Sequence, residues 1–520
     1  MKYPNYLLPS RQFPIIAEHC IPWTFEKAVE KIPNEEDEKD THDSIVATLR
    51  SIFQDMKDCG INVFINAGTF NQINHIFQYT EDTAYNLPAF VCYNYAIATP
   101  YSAISGLAQY VDNQRVLGWN LRDEPPYYLW GDVLAQLNNV VPKNNLPLID
   151  WNGLSMGYLI CRQLAPNKLA YWTLAIPEST ANNYLNVVGS CLTYENYLNR
   201  LAQLYRPPLW SYDVYPILEK QVSGKITTTV RYQHFYNSLR MMSAISVNTG
   251  SPFWAYGMIM KHVWYDKNTA EKTETNWSTC LPLPTSGVLR FELFSALACG
   301  AQGLVYYRYG VSRRLNDPSS GSKEEPEFYG VSAACSVNIN QNNNGQTVYE
   351  YVANTALQQI IKRVNAEVQF YKEVFLNSVL ENAYQIYESN NFSYSDGIPR
   401  STGLANQIIV SVHAYASNNI QSPGVLLTTL VQNKGTQRKK RYVIMVSHDA
   451  YYAQVLKLDF IRSNFKFMTR CQYSASTNIA VPAAYNWETP STVPVPTAAR
   501  NGYYVIGAGE YIILEVLNIY

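Results

Sequence analysis

"VLGWNLRDEP", residues 116–125, begins as an apolar run and ends in two adjacent acids before Pro125 and Pro126. Side chains on a strand alternate between faces. One face of this segment carries Leu117, Trp119, Leu121 and Asp123, and the other carries Gly118, Asn120, Arg122 and Glu124. If the strand belongs to a closed barrel wrapped in helices, the bulky apolar face meets the helices and the small, polar face lines the lumen. Glu124 then points into the pocket at the C-terminal end of the strand, where such barrels keep their chemistry. Asp123 points outward, to cap a helix or pair with a neighbour. The two prolines end the ladder and fix the direction of exit.

The chain around this segment supports a barrel. Seven more strand-like runs flank it: residues 13–20, 61–68, 87–97, 146–154, 209–218, 252–260 and 303–310. Between them lie helix-like segments with apolar residues three and four apart, such as SIVATLRSIFQDMKDCG (44–60) and SGVLRFELFSALACGAQG (286–303). Eight strands, each followed by a helix or long connection within about 300 residues, predict a (β/α)8 TIM barrel over residues 10–375. An open doubly wound sheet is the alternative, but the sequence contains no GxGxxG or GxxxxGK[ST]. A helix is predicted over 352–375, and beyond residue 380 the texture changes to short strand-like runs separated by turn residues. Residues 380–520 therefore read as a C-terminal antiparallel β-sandwich.

Bulk composition narrows the function. The chain has 520 residues, 47% of them hydrophobic, which is enough for two to four domains with large cores. Charged residues make up only 16% and the net charge is −1, so there is no electrostatic footprint for nucleic acid. The one basic cluster, KGTQRKKR (434–441), reads as a hairpin tip. No apolar run reaches membrane-spanning length. The 9 cysteines are irregularly spaced, with no CxxC and no zinc pattern, so neither a metal nor a cofactor is expected. The 42 tyrosines and 10 tryptophans suit β-rich packing, and their flat faces also suit stacking on sugar rings.

The same alternation nominates further site residues. Asp213 shares a face with Ser211 and Tyr215, and Asp150 with Asn152 on the presumed fifth strand. His19, Asn66, Asn94 and Arg308 fall on plausible inward faces of strands one, two, three and eight. Strand seven is ambiguous: either Trp254, Tyr256, Met258 and His262 face the pocket, or Phe253, Ala255 and Gly257 do. Carboxylates across an aromatic-lined cleft are what glycosidic bond cleavage requires, one protonating the leaving oxygen and the other acting as nucleophile or activating water. Glu124 is the expected acid/base and Asp213 the first candidate for the second carboxylate. The expected partner is a carbohydrate. A competing motif, GLSMG (153–157), fits the GxSxG of serine esterases and would make Ser155 a nucleophile. Such an elbow needs a strand before it and a helix after it, and Pro166 cuts short the segment where that helix would run.

The segments LGWNLRDEP, YDVYP, PFWAYGM and LPLPTSGVLRFELFSALACGAQGLVYYRY together resemble the barrel of glycoside hydrolases in the broad β-galactosidase-like clan. Among these they are most similar to uncharacterised relatives from carbohydrate-degrading bacteria such as Bacteroides. The closing GYYVIGAGEYIILEV resembles the last strands of sandwiches that follow such barrels. The resemblance covers most of residues 13–375. It implies an acid/base glutamate at the end of strand four, matching Glu124, and a periplasmic or extracellular location. The clan usually carries Asn-Glu there, where this chain has Asp123-Glu124. The clan's nucleophile is a glutamate at the end of strand seven, but FWAYGMIMKH contains no acid. That departure leaves three options: Asp213 supplies the second function, Glu271 or Glu274 folds back from the following loop, or the barrel binds glycan without cutting it.

Overall fold

The computed structural model describes residues 12–66, 68–92, 108–123, 158, 162–175, 194–265, 277–311, 328–376, 378–386, 408–413, 424–432, 440–460, 465–468, 472–474 and 502–517. In chain order the first strands are Ile15–Glu18 (β1), Val63–Asn66 (β2), Ala89–Cys92 (β3), Val116–Asp123 (β4), Leu169–Ala175 (β5) and Trp210–Asp213 (β6). A hairpin, Ile217–Val222 (β7) and Lys225–Val230 (β8), precedes Phe253–Met258 (β9). Lys261–Trp264 (β10) and Thr279–Leu281 (β11) then lead to Gly303–Tyr307 (β12). The helices over this stretch are Trp23–Glu30 (α1), Lys39–Asp58 (α2), Phe70–Tyr79 (α3), Tyr194–Tyr205 (α4), Tyr232–Thr249 (α5) and Ser286–Ala298 (α6).

Eight of these strands close into a barrel in the order β1-β12-β9-β6-β5-β4-β3-β2, every adjacent pair parallel. The chain is thus an α/β TIM barrel, as the alternation of runs predicts. Seven of the eight anticipated strands fall where the sequence places them, but the fifth does not. The barrel's fifth strand is LAYWTLA, 169–175, and not 146–154. Both segments are apolar and bounded by prolines or turn residues, and periodicity alone cannot separate two such runs.

The local causes are legible. In α2, Ile45, Val46, Leu49, Ile52, Phe53 and Met56 form one buried stripe, and Gly60, at φ 79°, follows the helix end in the left-handed region that glycine tolerates. Thr69 caps α3 by accepting from the Gln72 amide at 3.3 Å, and Thr285 caps α6 by accepting from Val288 at 3.2 Å.

The lumen is filled in layers drawn from alternate strands. Phe90 on β3, Tyr171 on β5 and Trp254 on β9 meet pairwise with ring centroids 5.3–5.5 Å apart. Above them, the Asn120 side-chain amide donates to Thr173 Oγ1 at 3.0 Å, and that hydroxyl lies 3.0 Å from the Tyr256 hydroxyl. The face with Gly118 and Asn120 is therefore the inward one, as the side-chain alternation on strand four requires. Strand seven turns Trp254 and Tyr256 inward, which resolves its ambiguity. Gly303 pairs with Trp254 in the ladder, and a methyl group on it would run into the indole. Gly303→Ala is expected to lower stability by about 1–3 kcal/mol through overpacking, read as a lower urea midpoint with an unchanged slope.

Three connections at the C-terminal ends of the barrel strands contribute to a second sheet that the sequence did not announce. Phe328–Ser332 (β13) joins β10, β11, β7 and β8 in the order β13-β10-β11-β7-β8, with all pairs antiparallel. A further hairpin, Cys335–Gln341 (β14) and Thr347–Ala353 (β15), packs on α2, where Thr48 donates to the Tyr349 carbonyl at 3.0 Å.

The rest of the chain, after Thr355–Phe370 (α7), forms two antiparallel sheets. Its strands are Ser378–Ile386 (β16), Ile408–His413 (β17), Val425–Gln432 (β18), Lys440–Ser447 (β19), Gln454–Phe460 (β20), Phe465–Phe467 (β21), Gln472–Ser474 (β22), Gly502–Ile506 (β23) and Tyr511–Val516 (β24). One sheet runs β16-β18-β19-β24-β21 and the other β17-β20-β23-β22. Side chains of both, including Leu427, Met445, Leu456, Tyr504 and Leu514, share one apolar core, as two facing sheets must. The basic KGTQRKKR segment connects β18 to β19, which pair antiparallel.

The chain divides into two compact units that are not consecutive stretches. One comprises Pro14–Leu283 with Gly303–Lys362, and the other comprises Met1–Phe13, Pro284–Gln302 and Arg363–Tyr520. In the second unit, Arg290 of α6 is 2% exposed and forms a two-nitrogen contact with Glu367, Nε to Oε2 at 3.0 Å and Nη2 to Oε1 at 2.5 Å. Its Nη1 lies 3.3 Å from Glu510, and the Tyr511 hydroxyl donates to Glu367 at 3.2 Å. Among the described residues, no helix is long and apolar enough to cross a membrane.

Candidate active site

Ladder register identifies the residues at the mouth of the barrel. Tyr256 pairs with Val305, Val305 with Ile16, and Ile16 with Val63. Paired residues in a parallel ladder share a face, so this is an inward row. One step toward the C-terminal ends, the inward positions are Glu18 on β1, Ile65 on β2, Met258 on β9 and Tyr307 on β12. On β6, Asp213 pairs with Ala175 of β5, two residues beyond Ser211, which pairs with the inward Thr173.

Among the described residues, Glu18 and Asp213 thus stand in the inward rows at the rim. Glu18 is 3% exposed, while Asp213 is half-buried. The candidate Asp213 is placed as its strand parity requires. Sequence reasoning names His19 on strand one and misses Glu18, although counting two residues on from Ile16 finds it. His19 is where the strand ends: its φ of 48° turns the chain away from extended geometry.

The other candidates divide. Tyr215 is half-buried, with its ring 6.1 Å from that of Tyr307, and the His19 ring meets Tyr307 edge-on at 6.0 Å. His262 lies on β10 of the antiparallel sheet and stacks on Trp264 at 4.4 Å. Trp264, Tyr215 and Tyr307 pack around Met258 and Met260, so this face of β10 is turned to the barrel mouth. Arg308 follows β12 and is 5% exposed. Its Nε donates to the Gly310 carbonyl at 3.0 Å, and its Nη2 lies 3.5 Å from Glu26.

Three readings need correction. Trp254, expected as a sugar platform, is 1% exposed in the packed layer with Phe90 and Tyr171 and is core. Asn66 pairs with Val91, in the same row as Phe64, whose ring packs on Phe53 of α2, so its register is not the inward one. Asp150 and Asn152 do not belong to the fifth barrel strand, because that strand is 169–175. Tyr256 is 3% exposed and forms part of the mouth's floor through its contact with Thr173. Glu124, Asn94, Asp150, Asn152, Ser155, Glu271 and Glu274 lie outside the described residues. Described β4 ends at Asp123, directly before Glu124, and its ladder to β5 is irregular between Asn120 and Asp123. A bulge changes which face the following residues take, so simple alternation from Asn120 does not extend to position 124.

Electrostatics at the rim centre on Arg308. Burial, and secondarily the Arg308 charge, push His262 down to about 4. The same two causes hold His19 well below the usual histidine range. Both imidazoles are therefore neutral donors and acceptors near neutral pH. Because the folded His262 titrates below its unfolded value of 6.5, its contribution to stability is present above pH 6.5 and is lost as pH falls toward 4. His262→Asn is expected to shrink the loss of stability between pH 7 and pH 4.5 by about 2–3 kcal/mol, measured by urea unfolding of both proteins at each pH. Among the described residues, no three His, Cys, Asp or Glu side chains come together as a metal site.

No family model matches the sequence, and no curated protein does. Solved structures of low similarity exist. The endo-beta-1,4-mannanase from Thermotoga petrophila aligns over 84% of this chain and 94% of its own, at 8% identity and a TM-score of 0.37. A family 51 alpha-L-arabinofuranosidase from Bifidobacterium longum aligns over 98% and 96%, at 10% identity and 0.38. An Anoxybacillus alpha-amylase aligns over 98% and 98%, at 7% identity and 0.42. Likeness of this degree carries no argument about the site, which rests on the chain's own geometry.

Proposed function

We propose that this chain is a glycoside hydrolase acting on an oligo- or polysaccharide, with Glu124 as general acid/base. The observation that carries the reading is the rim of the barrel. Carboxylates Glu18 and Asp213 occupy inward rows on strands one and six, beside half-buried Tyr215, Trp264 and Tyr307. Strand four delivers Asp123 to the same end, with Glu124 next in sequence. Acids in a partly dry, aromatic-walled mouth supply the two elements glycosidic cleavage needs: a proton donor whose pKa burial can raise, and a surface for the apolar face of a sugar. Asp213 is the proposed second carboxylate, and Glu18 joins it as a candidate. A carboxyl separation of about 5–5.5 Å from the acid would mean retention of configuration, and about 6.5–9.5 Å inversion. A periplasmic or extracellular home fits a polymeric substrate.

A second reading, a glycan-binding protein without catalysis, is favoured by one observation. The inward residue at the end of β9 is Met258, 3% exposed, where a nucleophile would otherwise stand. The esterase reading loses its premise, since the barrel strand it needs before GLSMG is at 169–175 instead. Turnover of a panel of aryl glycosides separates the two glycan readings. Hydrolysis by the wild type that falls in Glu124→Gln, most steeply for the poorest leaving groups in the panel, supports the enzyme. Saturable glycan binding with no turnover across the panel supports the binder.

A further inference from the structure

We infer that Arg308, His19 and His262 form a subsite for an anionic substituent, a carboxylate or sulfate ester, on the sugar entering the barrel mouth. The inference rests on the glycan reading above and narrows it to acidic glycans. Arg308 is 5% exposed, yet Nε is the only nitrogen of its guanidinium that hydrogen-bonds among the described residues. Its Nη2 makes no hydrogen bond, and the nearest carboxylate oxygen, on Glu26, is 3.5 Å away. A buried guanidinium has five donors to satisfy, and leaving several without acceptors is costly. Its planar fork matches the two oxygens of a carboxylate, or two of a sulfate, better than the single oxygen of a hydroxyl.

The surroundings suit such a ligand. His262 and Trp264 stack on the face of β10 that meets Tyr215 and Tyr307, and His19 meets Tyr307 edge-on. Arg308 lies within electrostatic reach of both histidines. Half-buried aromatic rings therefore stand beside a buried cation, with the His19 and His262 imidazoles in the same cluster. The acids near this cluster are Glu26, already paired with Arg308, and Glu18 and Asp213 in the inward rows. Arg308 directly follows Tyr307, which shares an inward row with Glu18, so an anionic group seated at Arg308 lies at the same end of the barrel as those carboxylates.

The test is calorimetric binding of uronate- and sulfate-bearing oligosaccharides to the unmodified full chain, each beside its methyl-esterified or desulfated counterpart. Esterification and desulfation remove the charge and keep the stereochemistry. Binding of the charged member should be about 10- to 100-fold tighter, the worth of charge-assisted hydrogen bonds. Which pairs show the preference separates carboxylate from sulfate. Arg308→Lys, which keeps the charge and loses the fork, should reduce the preference, and His262→Asn should weaken it with the Glu26 pair intact. Equal or tighter binding of the neutral counterparts throughout overturns the subsite and leaves the glycan reading standing. Charge-selective binding without turnover supports the subsite and sinks hydrolysis instead. Failure of every glycan to bind sinks both.

Discussion

Glu124→Gln is expected to lower kcat on a glycoside by about 10²–10⁴-fold, the usual contribution of a positioned general acid. Glutamine keeps the shape and hydrogen-bonding reach of the side chain but has no proton to deliver to the leaving oxygen. The loss should therefore depend on the leaving group. It should be smallest for nitrophenolates, which depart without protonation, and largest for natural sugar leaving groups. KM should change less than kcat, because the interaction lost is made mainly in the transition state. The alkaline limb of the pH–rate profile, where the acid loses its proton, should vanish in the variant. The irregularity in the ladder between Asn120 and Asp123 makes Asp123→Asn the necessary control. A selective loss in Asp123→Asn, with Glu124→Gln as active as wild type, would move the acid by one residue and overturn the assignment to Glu124.

Arg290→Met is expected to destabilise the protein by about 3–5 kcal/mol, because it leaves the Glu367 carboxylate buried and uncompensated. Glu367 sees two guanidinium nitrogens and the Tyr511 hydroxyl, and Arg290 is 2% exposed, so little solvent can replace the lost partner. Removing both charges in Arg290→Met with Glu367→Leu should cost less than the sum of the single changes, since Glu367 no longer leaves an orphan charge and Glu510, which also loses Arg290, is a carboxyl that burial already favours in its protonated form. Glu510 provides a pH signature for the same cluster. Burial first, and Glu367's charge after it, push its carboxyl up to about 8 against the opposing pull of Arg290. A carboxyl that holds its proton more tightly when folded contributes most below its unfolded value of 4.5, and that contribution is lost as pH rises toward 8. Glu510→Gln imitates the protonated form, so its stability relative to wild type should climb between pH 4.5 and pH 8. Urea unfolding at several pH values reads both effects, and a flat difference for Glu510→Gln would show that this carboxyl is ionised throughout.

The architecture is largely readable because barrels are written in periodicity. Seven of eight strands, the stripe of α2 and the turn to short antiparallel runs after residue 380 all follow from patterns over neighbouring residues. The failures share a cause. The fifth strand is misplaced because two apolar runs, 146–154 and 169–175, satisfy the same local test, and only pairing with β4 and β6 distinguishes them. The sheet β13-β10-β11-β7-β8 escapes detection because its strands are contributed by three separate connections and are stable only together. Trp254 reads as a binding surface because an inward residue can be either floor or core, and depth along the lumen decides which.

The sequence by itself determined the closed ring of parallel strands, the inward parity of strand four from Gly118 to Asn120, and the presence of acids where strands four and six end. These depend on each residue's near neighbours, whose spacing the chain itself fixes. Only the tertiary structure decided that Glu18 shares an inward row with Tyr307, that Trp254 is sealed in the lumen, and that His19 and His262 both lie near the Arg308 guanidinium. Those relations join residues tens to hundreds of positions apart through ladder register and side-chain depth. A shift of register by a single residue would reverse them while leaving every local pattern in the sequence unchanged.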